Sequence, residues 1–411
     1  MTRDYRHTPL PPVIIFGGFE NALPLVRTFG TRSIAVYVLV EPHSEVKYSR
    51  YARAIRLPEN APYLQSALAF LTSSASDHLL GSVLLVAGDE ELGAVADHRR
   101  VLSQRFRLDV SNSDAQRMML NKLDTYEAAR QAGVPTPQFW QVQSDDDLYR
   151  LRDEFVYPLI VKPKLSHEFQ RKFKAKFILV EDFPQLLDGY HQVEKEGIDT
   201  LLVEMIPGPD SKLCSYYTYM DEAGDALFDF TKRVIRRYPT NMGLASYHIT
   251  DRVEQVRELS LRLFRHVGLQ GLANAEFKYD ERDKQLKLIE CNARFTAANA
   301  LVARAGFDLG LFVYNGIVGI PRPVLTDFRV GLRQWDPTRD VLAFRELNKR
   351  GELTLIQWLS SIMHWHSYAY FSWRDPLPSL VRLTKRIRNI RPVAQQQPTR
   401  VASRAEVLAE S

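Results

Sequence analysis

At 411 residues, 45% apolar and 25% charged, the chain has ordinary globular composition and the length for two or three domains. Its two cysteines, Cys214 and Cys291, exclude a disulfide scaffold and fit a reducing compartment, the cytoplasm; neither they nor the ten histidines show zinc-ligand spacing. The net charge of +5 suits anionic ligands, but much of it lies in 380–391, which indicates no nucleic-acid surface, and no apolar run approaches the ~20 residues of a membrane span.

The chain opens on a polar stretch, Met1 to Pro12, without the apolar core of a secretory signal. Val13-Ile14-Ile15-Phe16 reads as a buried strand, followed by Gly17-Gly18 and a helix over Asn21 to Phe29. Strands at Ile34 to Val40, Arg53 to Leu57 and Ser82 to Ala87 alternate with a helix at Tyr63 to Thr72. Strand–helix alternation of this kind predicts a parallel, doubly wound α/β domain over 11–115. A helix follows from Ser113, its expected N-cap, to Ala132, ended by Gly133, Pro135 and Pro137.

An α+β domain is expected over 116–325. Its strands read as Gln138 to Val142, Leu159 to Lys162, Phe177 to Val180 and Leu201 to Glu204. Leu213 to Met220 and Ala226 to Val234 then read as antiparallel neighbours. Helices are expected at Asp145 to Glu154 and Gln255 to Val267, and a hairpin joins Leu272 to Tyr279 with Gln285 to Cys291. The region 326–393 reads as a helical, aromatic-rich C-terminal extension, and 394–411 as a disordered tail.

The hairpin carries the densest chemistry. Glu290 and Asn292 are two apart on one strand and share a face. If Glu276 pairs opposite Glu290, three oxygen-bearing side chains converge, and magnesium takes oxygen ligands of this kind together with phosphate oxygens and water. A one-residue slip in register would separate Glu276 from the others. Arg294 stands two residues further on, placed to hold a phosphate or carboxylate. Spacing alone also allows a hairpin with exposed acids.

This hairpin resembles the metal-binding end of the ATP-grasp superfamily, with Glu on one strand and Glu-x-Asn-x-Arg on the next. Other segments are similar in the same order: Asn121-Lys122-Leu123 to Val134-Pro135-Thr136-Pro137, the strand Tyr157-Pro158-Leu159-Ile160-Val161-Lys162-Pro163, and the hinge Val203 to Asp210. The preceding α/β segment looks like the Rossmann-like pre-ATP-grasp domain. Within the superfamily the chain looks most like the carboxylate–amine ligases that include D-aspartate ligase. Thr231-Lys232-Arg233-Val234-Ile235-Arg236-Arg237-Tyr238-Pro239 resembles their "K-R-x-R-x-Y-P" strand exit. In place of the glycine-rich loop of many members, Lys164 to Lys176 is basic and glycine-free, offering Ser166, His167, Arg171, Lys172 or Lys174 instead of backbone groups.

The resemblance implies ATP and Mg²⁺ as cofactors and a small-molecule carboxylate and amine as substrates. Lys122 and Lys162 would face the ATP phosphates. Backbone groups of Glu204, Met205 and Ile206 would meet the adenine edge, Asp210 the ribose. Glu276, Glu290 and Asn292 would hold the metal. Of Lys232 and Arg233, which alternate faces, Arg233 is taken for the phosphate contact, with Arg294 as the second catalytic cation. The implied reaction forms an acyl phosphate, then an amide, and releases ADP and phosphate; the competing reading is a nucleotide-binding protein without catalysis. Cys291 is expected on the opposite face, in the core. Gly17-Gly18 lacks the G-x-G-x-x-G pattern of a dinucleotide site, and Glu20 and Asn21 read as a structural turn or a substrate contact. The aromatic and basic C-terminal residues, Trp358 to Arg391, read as packed helices or as a peripheral membrane or partner contact.

Overall fold

The first strand, β1 (Val13–Phe16), is buried at every position, which requires cover on both of its faces. A computed structural model describes residues 10–58, 61–164, 173, 177–325 and 327–388. In it β1 lies between β2 (Val36–Leu39) and β4 (Val83–Val86), with β3 (Ala52–Ala54) outside β2, all parallel. One face packs under α2 (Tyr63–Thr72), α3 (Asp89–Asp97) and α4 (Arg99–Arg105) through Ile14, Phe16, Leu71, Val95 and Leu102. The other packs on α1 (Leu23–Gly30) and, from far along the chain, α11 (Leu309–Val318). Gly17 and Gly18 turn the chain after β1 with φ of 77° and 89°; a Cβ on Gly17 would meet the Glu91 carboxyl at 2.3 Å.

The predicted helix from Ser113 to Ala132 is two helices. Asn112, not Ser113, caps α5 (Ser113–Leu120), and Asn121 caps α6 (Lys122–Gln131) by accepting from the N–H groups of Leu123 and Asp124. Asparagine prefers the cap to the helix interior, so Asn121 breaks the run and sets Lys122 at the first position of a new helix.

A second sheet orders β5 (Phe139–Trp140), β8 (Thr200–Glu204), β6 (Leu159–Pro163) and β7 (Ile178–Val180), all antiparallel. Its core includes Leu148 of α7 (Asp145–Arg150) and Leu186 and Val193 of α8 (Phe183–Glu194). The third sheet has seven strands in the order β13 (Gln285–Asn292), β12 (Gly271–Asp280), β9 (Leu213–Met220), β10 (Phe230–Tyr238), β11 (Leu244–Thr250), β14 (Arg333–Trp335) and β15 (His366–Ser367). β10 begins later and runs further than the Ala226 to Val234 expected. Cys214, Tyr216, Ala275, Phe277 and Cys291 face a core shared with α6 and α9 (Glu254–His266). Cys291 is thus a packed core residue, as expected.

The C-terminal region is less purely helical than its composition suggests. It holds α12 (Pro337–Lys349), α13 (Leu355–Ile362) and α14 (Leu377–Arg388), but β14 and β15 extend the large sheet. Asp375 fastens this region to the first sheet, accepting from Arg27 Nε at 3.0 Å, Ser49 Oγ at 2.8 Å and Arg50 N at 2.9 Å. The basic loop residues Ser166, His167, Arg171, Lys172 and Lys174 and the tail 394–411 lie outside the described residues.

Candidate active site

Antiparallel pairing sets Glu276 opposite Glu290 and Asn274 opposite Asn292. The sequence encodes this as a mirror: Asn274-x-Glu276 on β12 meets Glu290-x-Asn292 on β13. Asn274 was therefore readable from spacing and was missed. A bulge follows Glu276, where Phe277 pairs with Leu288 and Ile289 is the extra residue. On the other side Ser215 of β9 pairs with Glu276, and Lys232 of β10 pairs with Ser215. Glu290, Glu276, Ser215 and Lys232 thus form one row across four strands, spanning about 14 Å at the usual interstrand spacing.

Two like charges directly opposite each other weaken a ladder. Cations answer this pair from three directions. Lys122, at the start of α6, donates to Glu290 Oε1 at 3.1 Å. Burial would depress its ammonium, but Glu290 and Asp89 outweigh burial and hold its pKa above the ordinary value. Lys162 on β6 lies 5.8 Å from the Tyr126 ring, whose hydroxyl donates to Ile289 O beside Glu290. Lys232 is buried at 5% exposure; burial lowers its pKa against the pull of Glu276. Lys232 has neither hydrogen bond nor ion pair among the described residues.

Lys232 and Arg233 part company across the sheet. Arg233 is on the other face of β10, about half exposed and paired with Asp251. Arg294 is not free for a phosphate either: Nε and Nη2 bind Asp89 Oδ1 and Oδ2 at 2.5 and 2.6 Å. Burial pushes the Asp89 carboxyl up, but Arg294 dominates and holds it below its usual range. The pair ties the end of β13 to the N-terminus of α3.

The hinge is also more self-contained than expected. Glu204 N donates to Gln138 O and Met205 N to Pro158 O, while the Glu204 carboxylate accepts from Gln138 N and from Arg282. Lys278 Nζ holds Ile206 O at 2.9 Å, Gly208 O at 2.7 Å and Asn241 Oδ1 at 3.0 Å; burial lowers its pKa to about 8. Asp210, expected at a ribose, is 6% exposed and turned inward, with Arg237 Nε at 3.2 Å and Asn241 N at 3.2 Å from its oxygens. Glu20 pairs with Arg339 at 3.0 Å, and Asn21 Oδ1 accepts from Phe19 N at 2.8 Å.

Beyond Lys232 the same face carries polar atoms that lack partners among the described residues. They are Ser215 Oγ, His248 Nδ1 and Gln334 Oε1, on residues 3%, 8% and 4% exposed. His248 lies two residues from Thr250, the partner of Lys232, and Gln334 pairs with His248. Burial, then Lys232, Arg339 and Arg237, push the His248 imidazole well below its usual pKa, so it is neutral. Each buried polar group without a partner costs about 1–3 kcal/mol. Several of them lie together on one sheet face. Sequence reasoning missed Ser215, His248 and Gln334, whose convergence depends on strand order.

The donor set fits magnesium, which takes oxygen ligands: two carboxylates and an amide lie on one face. Among the described residues no group of three or more His, Cys, Asp and Glu forms an all-protein cage.

Residues 244–313 match the family of the carbamoyl-phosphate synthase L chain, ATP binding domain, a span containing Glu276, Glu290, Asn292 and Arg294. The sequence is 23% identical to D-aspartate ligase of Enterococcus faecium (strain Aus0004) over 317 residues, 73% of this chain and 75% of that protein. The fold is similar to the biotin carboxylase domain of Hydrogenobacter thermophilus 2-oxoglutarate carboxylase, solved with MgADP, ADP and bicarbonate. That likeness has TM-score 0.62 and 16% identity, over 79% of this chain and 74% of that one. It is also similar to L-amino acid ligase from Bacillus licheniformis, with TM-score 0.57 and 17% identity over 75% of each chain. The chain thus shares the fold of these ATP-dependent enzymes and is similar in sequence to D-aspartate ligase.

Proposed function

We propose that the chain is an ATP-dependent carboxylate–amine ligase that forms an acyl phosphate and then an amide, releasing ADP and phosphate. The observation that carries this reading is the row Glu290, Glu276, Ser215 and Lys232, with polar atoms lacking partners beside it. Glu276, Glu290 and Asn292 would hold Mg²⁺, which when bound would supply charge neutralisation at the ATP phosphates. Lys122, Lys162 and Lys232 line the phosphates, Lys232 taking the role first given to Arg233. Arg294 acts through Asp89 as a positioning residue. The adenine lies against the hinge at Glu204, Met205 and Ile206, where Lys278 holds the Ile206 and Gly208 carbonyls.

A substrate carboxylate oxygen attacks the γ-phosphorus, and the bond to the β-phosphate oxygen breaks to leave ADP. The amine nitrogen then attacks the acyl carbon, and the tetrahedral intermediate expels phosphate as the amine loses a proton. Such chemistry needs positioning and charge neutralisation more than a covalent nucleophile. The neutral His248, Gln334 and Ser215 supply donors and acceptors for a substrate beside Lys232.

The domain division in this reading is a Rossmann-like pre-ATP-grasp domain over 11–115, an ATP-grasp domain over 116–325 and a C-terminal extension over 326–393. Two buried free cysteines agree with a cytoplasmic location. The test is mass spectrometry after incubation with ATP, magnesium and pools of carboxylates and amino acids. An amide product formed only with ATP supports the reading. ATP binding without an amide from any pool favours a nucleotide-binding protein without catalysis.

A further inference from the structure

The segment after α12 exposes what globular proteins usually cover. In α13, Trp358 packs inward, its ring 4.8 Å from that of Phe344 and its Nε1 donating to Asp340 at 2.9 Å. The opposite side of the helix is bare: Ile356 is 80% exposed, Leu355 53% and Leu359 45%, and no residue of α13 is fully buried. Just beyond it Met363 is 79% exposed, Trp365 92% and Trp373 87%. These tryptophans flank a groove of about 1170 Å³ whose lining includes Arg304, His364 and Arg374.

Charge sorts the occupants. From Leu353 to Arg374 there is no acidic residue. The nearest acids in sequence are Glu352 and Asp375, and Asp375 is buried and bound to Arg27. Among the residues that line the groove, Arg304 and Arg374 carry charge and none is acidic. Helix α14 also exposes apolar side chains, in an unexpected sense. Arg382 turns inward to Asp336 at 2.8 Å and Lys385 to Glu45 at 3.0 Å, while Leu377, Leu380 and Leu383 are 49%, 54% and 44% exposed. The basic stretch read from sequence therefore presents leucines outward and uses these two cations to hold the helix in place.

We propose that the groove rim, the outer side of α13 with Trp365 and Trp373, docks on an anionic lipid bilayer. Protruding tryptophans and aliphatic side chains enter the headgroup–acyl boundary, while arginines at the rim meet phosphate headgroups. A second copy is a poorer occupant. The groove lining of each copy carries Arg304 and Arg374 and offers the other copy no acid to pair with. No helix among the described residues is long and apolar enough to cross a membrane, so the contact is peripheral.

The test is co-sedimentation of the full chain with phosphatidylglycerol vesicles and with phosphatidylcholine vesicles. The expected result is binding to the first, at least tenfold weaker binding to the second, and release by 0.5 M salt at ~4 Å screening length. Trp365→Ala with Trp373→Ala should reduce binding at least tenfold with an unchanged melting temperature, since both side chains are exposed. Arg304→Glu with Arg374→Glu should remove the preference for anionic vesicles. A parent protein that stays in the supernatant, or binds both vesicles equally, overturns the proposal. So does a dimer in light scattering that the tryptophan variant dissociates while vesicle binding is absent.

Discussion

Lys122 and Glu290, 168 residues apart, meet at 3.1 Å where the N-terminus of α6 reaches the end of the large sheet. Glu290 also stands opposite Glu276, so one carboxylate serves both the buried ammonium and the proposed metal. Glu290→Gln keeps the shape and removes the charge. ATP turnover should fall by about 10²-fold or more, because phosphoryl transfer depends on charge neutralisation at this point. The melting temperature should fall by only a few degrees, since Glu290 is about a third exposed. Steady-state kinetics beside a thermal melt measures both; unchanged turnover removes Glu290 from the site.

Lys232 and Arg233 are neighbours in sequence on opposite faces of β10, and their substitutions should separate. Lys232→Met should lower kcat by about 10²-fold. Arg233→Met, at an exposed position paired with Asp251, should leave kcat and the KM for ATP within about twofold. The reverse pattern would return the phosphate contact to Arg233.

The Asp89–Arg294 pair joins the first domain to the end of β13. Asp89→Asn leaves a mostly buried guanidinium without its counter-charge. This should cost roughly 2 kcal/mol, reduced from a fully buried pair because Asp89 is 40% exposed. Urea unfolding should show a lower midpoint at unchanged slope. A midpoint equal to that of the parent would show the pair to be dispensable.

Glu91, 6% exposed beneath Gly17 and Gly88, has its carboxyl pushed up to about 7, chiefly by burial, with Glu90 and Glu41 adding to it. A raised carboxyl pKa means the folded state holds the proton where the unfolded chain has lost it. Its contribution is therefore full below the ordinary 4.5 and is lost as pH rises through about 7. Glu91→Gln mimics the protonated form. It should match the parent near pH 5 and exceed it at pH 8 by up to about 3 kcal/mol in denaturant unfolding. Equal stability at both pH values would show that Glu91 does not titrate in this range.

Much of this was legible in local pattern. The all-apolar run at Val13 to Phe16 required a strand covered on both sides. The mirrored Asn-x-Glu and Glu-x-Asn motifs required only antiparallel pairing to bring Glu276, Glu290 and Asn292 together. Asn121 could have been read as a cap inside what looked like one long helix. Other features were not local. The face of Lys232 depends on the register of β10 against β9 and β11. Asp210 is turned inward by Arg237 and Asn241, residues far along the chain. The sheet position of Gln334 and the outward leucines of α14 depend on which distant acids the cations of α12 and α14 find. Sequence gives alternation along a strand, but not which side faces the cleft.

The most direct test of the account is the fate of ATP. With magnesium and pooled carboxylates and amines, chromatography should show ADP and phosphate formed together by the parent and neither by Glu290→Gln. Two carboxylates and an amide on one face would hold a metal that supplies charge neutralisation for γ-transfer. AMP and pyrophosphate as the dominant products would contradict the acyl-phosphate mechanism while leaving the fold assignment standing.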